Sequence, residues 1–217
     1  MPPELNVVDH IAEAALGLFL EERPRVLLLT GGLTARRFYE RLAVTDYPWE
    51  EVECFFTDER CVPPTDPVSN LRMAQEAFLS KVPAAGYPMD GAACDAAGYD
   101  ELLRERFPDG VWFDFAVYGL GPDGHVGSLF PGRPEADVTD RLAVEVPEAG
   151  WEPFVPRISL TPAALSAASV GVFLVSGEGK REALRKLMAG EDIPAARVAP
   201  KRSIVLADPA AAGTLKG

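Results

Sequence analysis

One of the two histidines in this 217-residue chain, His125, lies in a glycine-rich turn beside an aspartate. The turn reads Gly119-Leu120-Gly121-Pro122-Asp123-Gly124-His125 and follows an apolar run. Histidine as a residue type titrates near neutral pH, which suits a general base. A carboxylate two residues away can orient the imidazole, and Gly121 and Gly124 leave room for a ligand at the backbone. We predict His125 and Asp123 as a catalytic pair; the alternative is a structural histidine bonded to its own loop.

The same turn matches the G-x-G-x-x-G pattern of dinucleotide-binding sites, but we reject that interpretation. The pattern normally opens a long helix in the first βαβ unit, whereas here it lies in the middle of the chain and contains Pro122. Asp123 would also repel a pyrophosphate. A dinucleotide-dependent oxidoreductase therefore stays a distant alternative.

A second glycine turn, Gly31-Gly32, separates an apolar run from a helical pattern. Its backbone N–H groups would lie at a helix N-terminus, where anions such as phosphate bind readily. Thr34 can add a hydroxyl donor. The alternative of equal weight is a tight turn in which Thr34 caps the helix.

Basic side chains follow other predicted strands. Asp58-Glu59-Arg60 ends one of them, where Arg60 can clamp an anion or form a structural ion pair. Arg157 points either into the same binding site at the strand ends or to solvent. Lys180, after Gly177 and at the start of a helix, is placed for a phosphate or is an ordinary surface lysine.

These segments are positioned by alternating apolar and amphipathic stretches. Their alternation predicts an α/β fold of Rossmann-like architecture, a mostly parallel sheet with helices on both faces. Ligands of such sheets bind at the carboxyl ends of the strands, where the suggestive segments lie. His10 is expected on the surface. Strands are predicted at residues 26–29, 52–57, 113–118, 142–146, 157–160, 170–175 and 203–206, and helices at 5–22, 35–42, 71–79, 99–107 and 180–188.

Composition narrows the function. A net charge of −12 disfavours nucleic acid or an anionic membrane as partner, although local Arg and Lys can still bind a small anion. The three cysteines, Cys54, Cys61 and Cys94, contain no C-x-x-C pair, and their odd number argues against a disulfide framework. We expect partly buried thiols, a cytoplasmic protein without a signal peptide, and one domain over residues 1–217. The oligomeric state is open, with a monomer favoured.

Taken together and in order, these segments resemble the 6-phosphogluconolactonases. The resemblance extends from about residue 27 to 208, and its blocks at Asp58 and Gly119 are the specific ones. The matching segments are Thr30-Gly31-Gly32-Leu33-Thr34, Phe56-Thr57-Asp58-Glu59-Arg60-Cys61-Val62-Pro63, Ser69-Asn70, the run from Gly119 to Gly132, Pro156-Arg157-Ile158-Ser159-Leu160-Thr161 and Ser176-Gly177-Glu178-Gly179-Lys180.

The resemblance implies hydrolysis of 6-phosphogluconolactone to 6-phosphogluconate, a step of the oxidative pentose phosphate pathway. It implies a fold shared with glucosamine-6-phosphate deaminases and neither a metal nor an organic cofactor. His125 would activate water, Asp123 would assist, and backbone donors in the turn would stabilise the oxyanion. The groups contacting the phosphorylated lactone would be Gly31, Gly32, Thr34, Asp58, Arg60, Asn70, Gly121, Gly124, Arg157 and Lys180.

Four residues depart from the family pattern: Leu33 stands where Ser is usual, Ala35 where Pro is usual, and Val126-Gly127 where Thr-Ala is usual. Two alternatives stay open. In the deaminases a Glu lies five residues after the histidine; Phe130 stands there in this chain, which favours the lactonase. A non-catalytic sugar-phosphate-sensing domain usually follows a DNA-binding module, and residues before Leu5 show none.

Overall fold

The computed structural model describes residues 2–215, in which ten strands form two sheets. The larger sheet has seven parallel strands in the order β1-β10-β9-β6-β2-β3-β5. The smaller sheet is antiparallel, in the order β4-β8-β7. The strands are β1 Glu4–Val7, β2 Val26–Leu29, β3 Glu53–Phe56, β4 Asp58–Arg60, β5 Ala85–Gly86, β6 Phe113–Gly119, β7 Ala143–Val146, β8 Arg157–Leu160, β9 Ala168–Val175 and β10 Arg202–Ala207.

The predicted α/β class with a mostly parallel sheet is confirmed. The central strands are buried along most of their length because helices pack against the sheet, as their near-continuous apolar sequences require. Helices α1 and α2 pack on each other and on the sheet. The helices are α1 Ile11–Glu22, α2 Leu33–Leu42, α3 Asn70–Ala74, α4 Ala96–Arg106, α5 Pro162–Ser166, α6 Arg181–Ala189 and α7 Pro209–Ala212, and a π-helical turn, Gln75–Leu79, continues α3.

The start of the chain differs from the prediction. Residues 5–22 were predicted as one helix, but Glu4–Val7 form a strand parallel to β10, and α1 begins at Ile11. Leu5 and Val8 fit helical spacing, yet pairing with the open edge of β10 gives the backbone groups on one side of this segment hydrogen-bond partners. His10 precedes α1 and is exposed, as expected.

The smaller sheet was not predicted. Asp58-Glu59-Arg60 was interpreted as the charged end of the 52–57 strand, but it forms a separate strand that pairs with β8. The pairing puts Arg60 directly opposite Arg157 and Asp58 opposite Ser159. Three residues with charged side chains give no strand signal by themselves, so only the partner strand decides this conformation.

The cysteines also correct the sequence interpretation, because Cys61 and Cys94 form a disulfide with Cα atoms 4.9 Å apart. An odd number of cysteines does not prevent two of them from pairing. The pair lies 33 residues apart in sequence and meets because the segment before Cys94 runs back over β4. There, a Cβ on Gly91 would lie 2.5 Å from the carbonyl oxygen of Arg60. Cys54 is free and buried, as expected.

None of the helices described between residues 2 and 215 is long and apolar enough to cross a membrane.

An aromatic cluster around Phe19 joins α1 to the sheet. The Phe19 side chain is fully buried, and its ring centroid lies 4.8 Å from that of Tyr47, 5.6 Å from Trp49 and 6.0 Å from Phe115. Such a side chain stabilises the fold through its burial and through its close contacts with the neighbouring rings.

We therefore expect Phe19→Ala to lower the free energy of unfolding by about 3–5 kcal/mol. The neighbouring Leu20 is 42% exposed, and Leu20→Ala should cost less than about 1 kcal/mol. Urea denaturation of both variants measures the difference. Equal losses would contradict the assignment of Phe19 to the core.

Candidate active site

A cavity of about 350 Å³ opens at the carboxyl ends of β2, β6 and β9. The strands β2 and β6 are neighbours, and the chain continues from them in opposite directions across the sheet. This is the switch point at which open α/β sheets bind ligands. The lining residues are Thr30, Gly31, Gly32, Leu33, Thr34, Ala35, Asp58, Arg60, Asn70, Tyr118, Gly119, Leu120, Gly121, Pro122, His125, Gly127, Trp151, Glu152, Arg157, Leu174, Ser176 and Lys180.

The first glycine turn presents an uncapped helix to this cavity. Gly32 is the N-cap of α2 with φ at +102°, a conformation that glycine adopts without strain, and no side chain caps the helix. Thr34 is the second helical residue and does not cap α2, so the tight-turn alternative is not observed. The first turn of α2 carries no acidic residue. This helix start therefore offers N–H donors and positive potential to an anion.

Asn70 ties the glycine turn to β4. Its Nδ2 donates to the carbonyl oxygen of Asp58 over 2.8 Å, and the side chain is buried. A Cβ on Gly31 would lie 2.1 Å from the Asn70 Oδ1 atom. Gly31 is thus required by packing, since the Asn70 amide occupies the space of a side chain there.

His125 and Asp123 form the pair that the sequence predicts. The Nδ1 atom of His125 lies 2.6 Å from Oδ1 of Asp123, and the same oxygen accepts a 3.1 Å bond from the His125 backbone N–H. Burial alone raises the pKa of Asp123, but the hydrogen bonds and charge of His125 outweigh it, so this pKa lies below its ordinary value. An ionised Asp123 holds Nδ1 as the protonated nitrogen and leaves Nε2 as the basic one.

Close packing fixes the imidazole ring. A Cβ on Gly121 would lie 2.0 Å from the His125 Nδ1 atom, so the ring occupies the space that this glycine leaves. The ring of Phe130 also packs against the imidazole, with the two ring centroids 4.9 Å apart. Gly124, with φ at +95°, lies against Ile193. His125 is therefore held in one orientation before any substrate binds.

The turn around His125 uses its own N–H groups internally. Gly121 N–H donates to the His125 carbonyl over 2.8 Å and Gly124 N–H to the Gly121 carbonyl over 3.0 Å. Since His125 N–H bonds Asp123, these three donors are not available to an oxyanion. The prediction that backbone N–H groups of the turn stabilise the oxyanion therefore excludes these three and stays a prediction for the others.

Three cationic side chains line the cavity: Arg60, Arg157 and Lys180. Burial lowers the pKa of Arg157, the Asp58 carboxylate opposes this shift, and Arg60 adds to it. Burial also lowers the pKa of Lys180, while the charge of Asp123 opposes the shift. Cations that are partly desolvated and close to each other favour an anion between them, because its charge offsets both costs.

Arg157 has a second role that the sequence did not indicate. Its Nη2 atom donates to the carbonyl oxygens of Trp151 over 2.7 Å and Pro153 over 3.0 Å, and its guanidinium lies over the Phe130 ring. Arg157 is buried, so the solvent-facing alternative is excluded. It therefore holds the loop that brings Trp151 and Glu152 to the mouth of the cavity.

The structure brings ten of the twelve predicted site residues to the cavity wall. Asp123 lies behind His125 instead, and Gly124 shapes the turn without lining the cavity. Trp151 and Glu152 also line the cavity but were not predicted, because they lie in an irregular segment, and Ser176 was named only as part of a matching segment. The ten are Gly31, Gly32, Thr34, Asp58, Arg60, Asn70, Gly121, His125, Arg157 and Lys180.

The four departures from the family pattern differ in their burial. Leu33 is 77% exposed at the start of α2, and Ala35 is buried. Val126 is buried, and Gly127 takes a φ of +54° beside Ser159. Within residues 2–215, no three His, Cys, Asp or Glu side chains are grouped so as to hold a metal ion.

Comparisons with known proteins show the family to which the whole chain is similar. The family described as Glucosamine-6-phosphate isomerases/6-phosphogluconolactonase matches residues 5–207. A 6-phosphogluconolactonase of Synechocystis is 38% identical over 179 residues, which are 77% of this chain and 73% of that protein.

Solved structures extend the likeness. The crystal structure of 6-phosphogluconolactonase from Thermotoga maritima superposes with a TM-score of 0.83 at 28% identity, covering 95% of this chain and 99% of that one. A monomeric glucosamine-6-phosphate deaminase shares the fold, with a TM-score of 0.82 at 19% identity over 96% of this chain and 98% of that one. The expected deaminase-like fold is thereby confirmed.

The packing of Gly121 against His125 generates a prediction. Gly121→Ala should push the imidazole away from Asp123, and a displacement of about 1 Å at a reacting group typically costs about 10²-fold in rate. Gly17→Ala is the control, because a Cβ there meets no atom within 4 Å. Lactonase assays of both variants measure the effect. Full activity in Gly121→Ala would contradict a fixed His125 ring.

Proposed function

The chain belongs to the family of glucosamine-6-phosphate isomerases and 6-phosphogluconolactonases, and on that premise we infer that it hydrolyses 6-phosphogluconolactone to 6-phosphogluconate. It is thus an enzyme of sugar-phosphate metabolism that opens a carboxylic ester. The observation that carries this function is the His125–Asp123 pair at a cavity that also contains an uncapped helix start and three cations.

The substrate has two ends with different chemical needs. Its phosphate needs N–H donors and positive charge, which the Gly31-Gly32 turn at the start of α2 supplies together with nearby cations. Its lactone carbonyl needs a water molecule and a base that activates it, and His125 is that base. We assign the glycine turn to the phosphate and His125 to the carbonyl.

The reaction proceeds by general-base catalysis. The Nε2 atom of His125 takes a proton from a water molecule, whose oxygen attacks the lactone carbonyl carbon. The carbonyl oxygen becomes an oxyanion in the tetrahedral intermediate. As the intermediate collapses, the bond from the carbonyl carbon to the ring oxygen breaks, and the imidazolium returns its proton to that oxygen. The product is the open-chain acid, which ionises to 6-phosphogluconate.

Asp123 and the cations assist the steps that separate charge. Asp123 stabilises the imidazolium through its 2.6 Å bond to Nδ1. The N–H groups of Gly121, Gly124 and His125 are occupied within the turn, so the oxyanion requires other donors. Lys180 lines the cavity and interacts with the charge of Asp123, so it is the cation beside the catalytic pair. We assign Lys180 to the negative charge that develops there.

Phe130 supports hydrolysis over deamination. In the deaminases the position five residues after the histidine carries a Glu, whereas here the Phe130 ring packs on the imidazole. An apolar side chain cannot serve as a second acid or base.

We propose further that the protein is a cytoplasmic monomer and that its two sheets form a single domain over residues 1–217. Size-exclusion chromatography tests the oligomeric state.

We expect His125→Ala to reduce kcat by ~10²–10⁴-fold, the usual contribution of a general base. The matched control is His10→Ala, since His10 is exposed before α1. The assay uses freshly generated 6-phosphogluconolactone and subtracts spontaneous ring opening in a buffer blank. Near wild-type turnover in His125→Ala would refute the assignment of the base.

The lowered pKa of Asp123 generates a separate prediction. Asp123 therefore stays ionised at neutral pH and holds Nδ1 of His125 as the protonated nitrogen. Asp123→Asn should retain the fold and lower kcat by ~10²-fold or more, because an amide no longer enforces the required tautomer of His125. Steady-state kinetics measures the loss, and near wild-type kcat in a folded Asp123→Asn variant would contradict this pairing.

A further inference from the structure

The buried carboxylate of Glu59 lies next to the site but does not line the cavity. Glu59 is 2% exposed and, among the described residues, has no Lys or Arg within ion-pair distance. Its Oε1 atom accepts N–H bonds from Arg60 and Asn70, both over 2.7 Å. Its Oε2 atom accepts from Leu71 N–H over 2.7 Å and from the Ser69 hydroxyl over 3.1 Å.

An ionised carboxylate accepts from all four donors as they stand. Each Glu59 oxygen accepts two hydrogen bonds, whereas an amide would place its NH₂ group against the N–H of Leu71 or against those of Arg60 and Asn70. Burial raises the pKa of Glu59, and the hydrogen bonds from Leu71, Asn70, Arg60 and Ser69 oppose that shift. Charge-assisted bonds to backbone N–H groups are the strong class of hydrogen bond, so they can hold this charge without a cation.

The four donors lie on both sides of one loop. Arg60 ends β4, and Ser69, Asn70 and Leu71 begin α3, with residues 61–68 between them. Glu59 therefore closes this loop and uses the first N–H groups of α3. The guanidinium of Arg60 adds a bond to the Val68 carbonyl within the same loop.

The two residues that Glu59 holds are both on the cavity wall. Arg60 carries one of the three lining cations, and its Nε atom is buried without a partner among the described residues. Asn70 places its amide against Gly31, in the turn assigned to the phosphate. A shift of α3 relative to β4 would thus move a cation and release the glycine turn together.

We propose that Glu59 is a positioning residue for the phosphorylated end of the substrate: it fixes Arg60 and Asn70 relative to the Gly31-Gly32 turn. The proposal rests on the lactonase function above. It separates Glu59 from Asp58, whose carboxylate bonds the hydroxyls of Thr57 and Ser128 instead.

The test compares two substrates in Glu59→Gln. We expect KM for 6-phosphogluconolactone to rise at least tenfold with a smaller change in kcat, and the affinity for 6-phosphogluconate in calorimetry to fall by a similar factor. Hydrolysis of unphosphorylated gluconolactone should change less than threefold. The matched control is Glu76→Gln, since Glu76 lies in the same helical segment but pairs with Arg72 at the surface.

Two outcomes overturn the proposal. Wild-type affinity in Glu59→Gln would show that the four bonds do not position the site. Equal losses for both lactones, with a lowered midpoint of thermal unfolding, would show a structural role only. If Glu59→Gln does not fold, Glu59→Asp keeps the charge, shortens its reach, and is judged by the same ratio of the two lactones.

The lactonase function and the positioning role can fail separately. If the wild-type protein does not hydrolyse 6-phosphogluconolactone, the proposed function fails. Calorimetry with 6-phosphogluconate then still decides whether Glu59 sets the affinity for a phosphorylated sugar acid.

Discussion

Thr57 belongs to both sheets, and the cavity depends on that junction. Its backbone N–H donates to Leu29 at the end of β2, while its carbonyl oxygen accepts from Leu160 in β8, both over 2.8 Å. Its hydroxyl donates to Asp58 and lies 3.1 Å from the hydroxyl of Thr30. The chain therefore turns from a parallel ladder into an antiparallel one with both backbone groups of Thr57 paired. This change of direction carries β4 over the carboxyl ends of β2 and β6.

The antiparallel pairing has an electrostatic consequence. It sets Arg60 opposite Arg157, two like charges that repel each other at the cavity wall. Asp58, buried on the same strand, offsets part of this repulsion and is itself held by hydroxyl groups. The remaining positive charge is local, in a chain whose net charge is −12. Screening limits distant charges to a small effect, so the few cations near the cavity decide which small molecule binds.

The His125 turn and the cavity wall around Arg60 are rigid for different reasons. Around His125 the rigidity is steric, since Gly121 leaves a space that the imidazole fills and Phe130 packs against the ring. Around Arg60 it is polar, since one carboxylate, that of Glu59, collects donors from β4 and α3. Both arrangements fix functional groups before the substrate arrives, which lowers the entropy lost on binding.

The sequence alone determined the local features: the α/β class, the buried strands, the two glycine turns and the His125–Asp123 pair. These follow from periodicity and from contacts between residues close together in the chain, which a linear pattern records. The tertiary structure decided the rest, because it depends on partners distant in sequence. Glu4–Val7 is a strand only beside β10, and Asp58-Glu59-Arg60 only beside β8. Likewise, Cys61 meets Cys94 and Arg157 holds Trp151 only after the loops have folded over β4 and the cavity mouth.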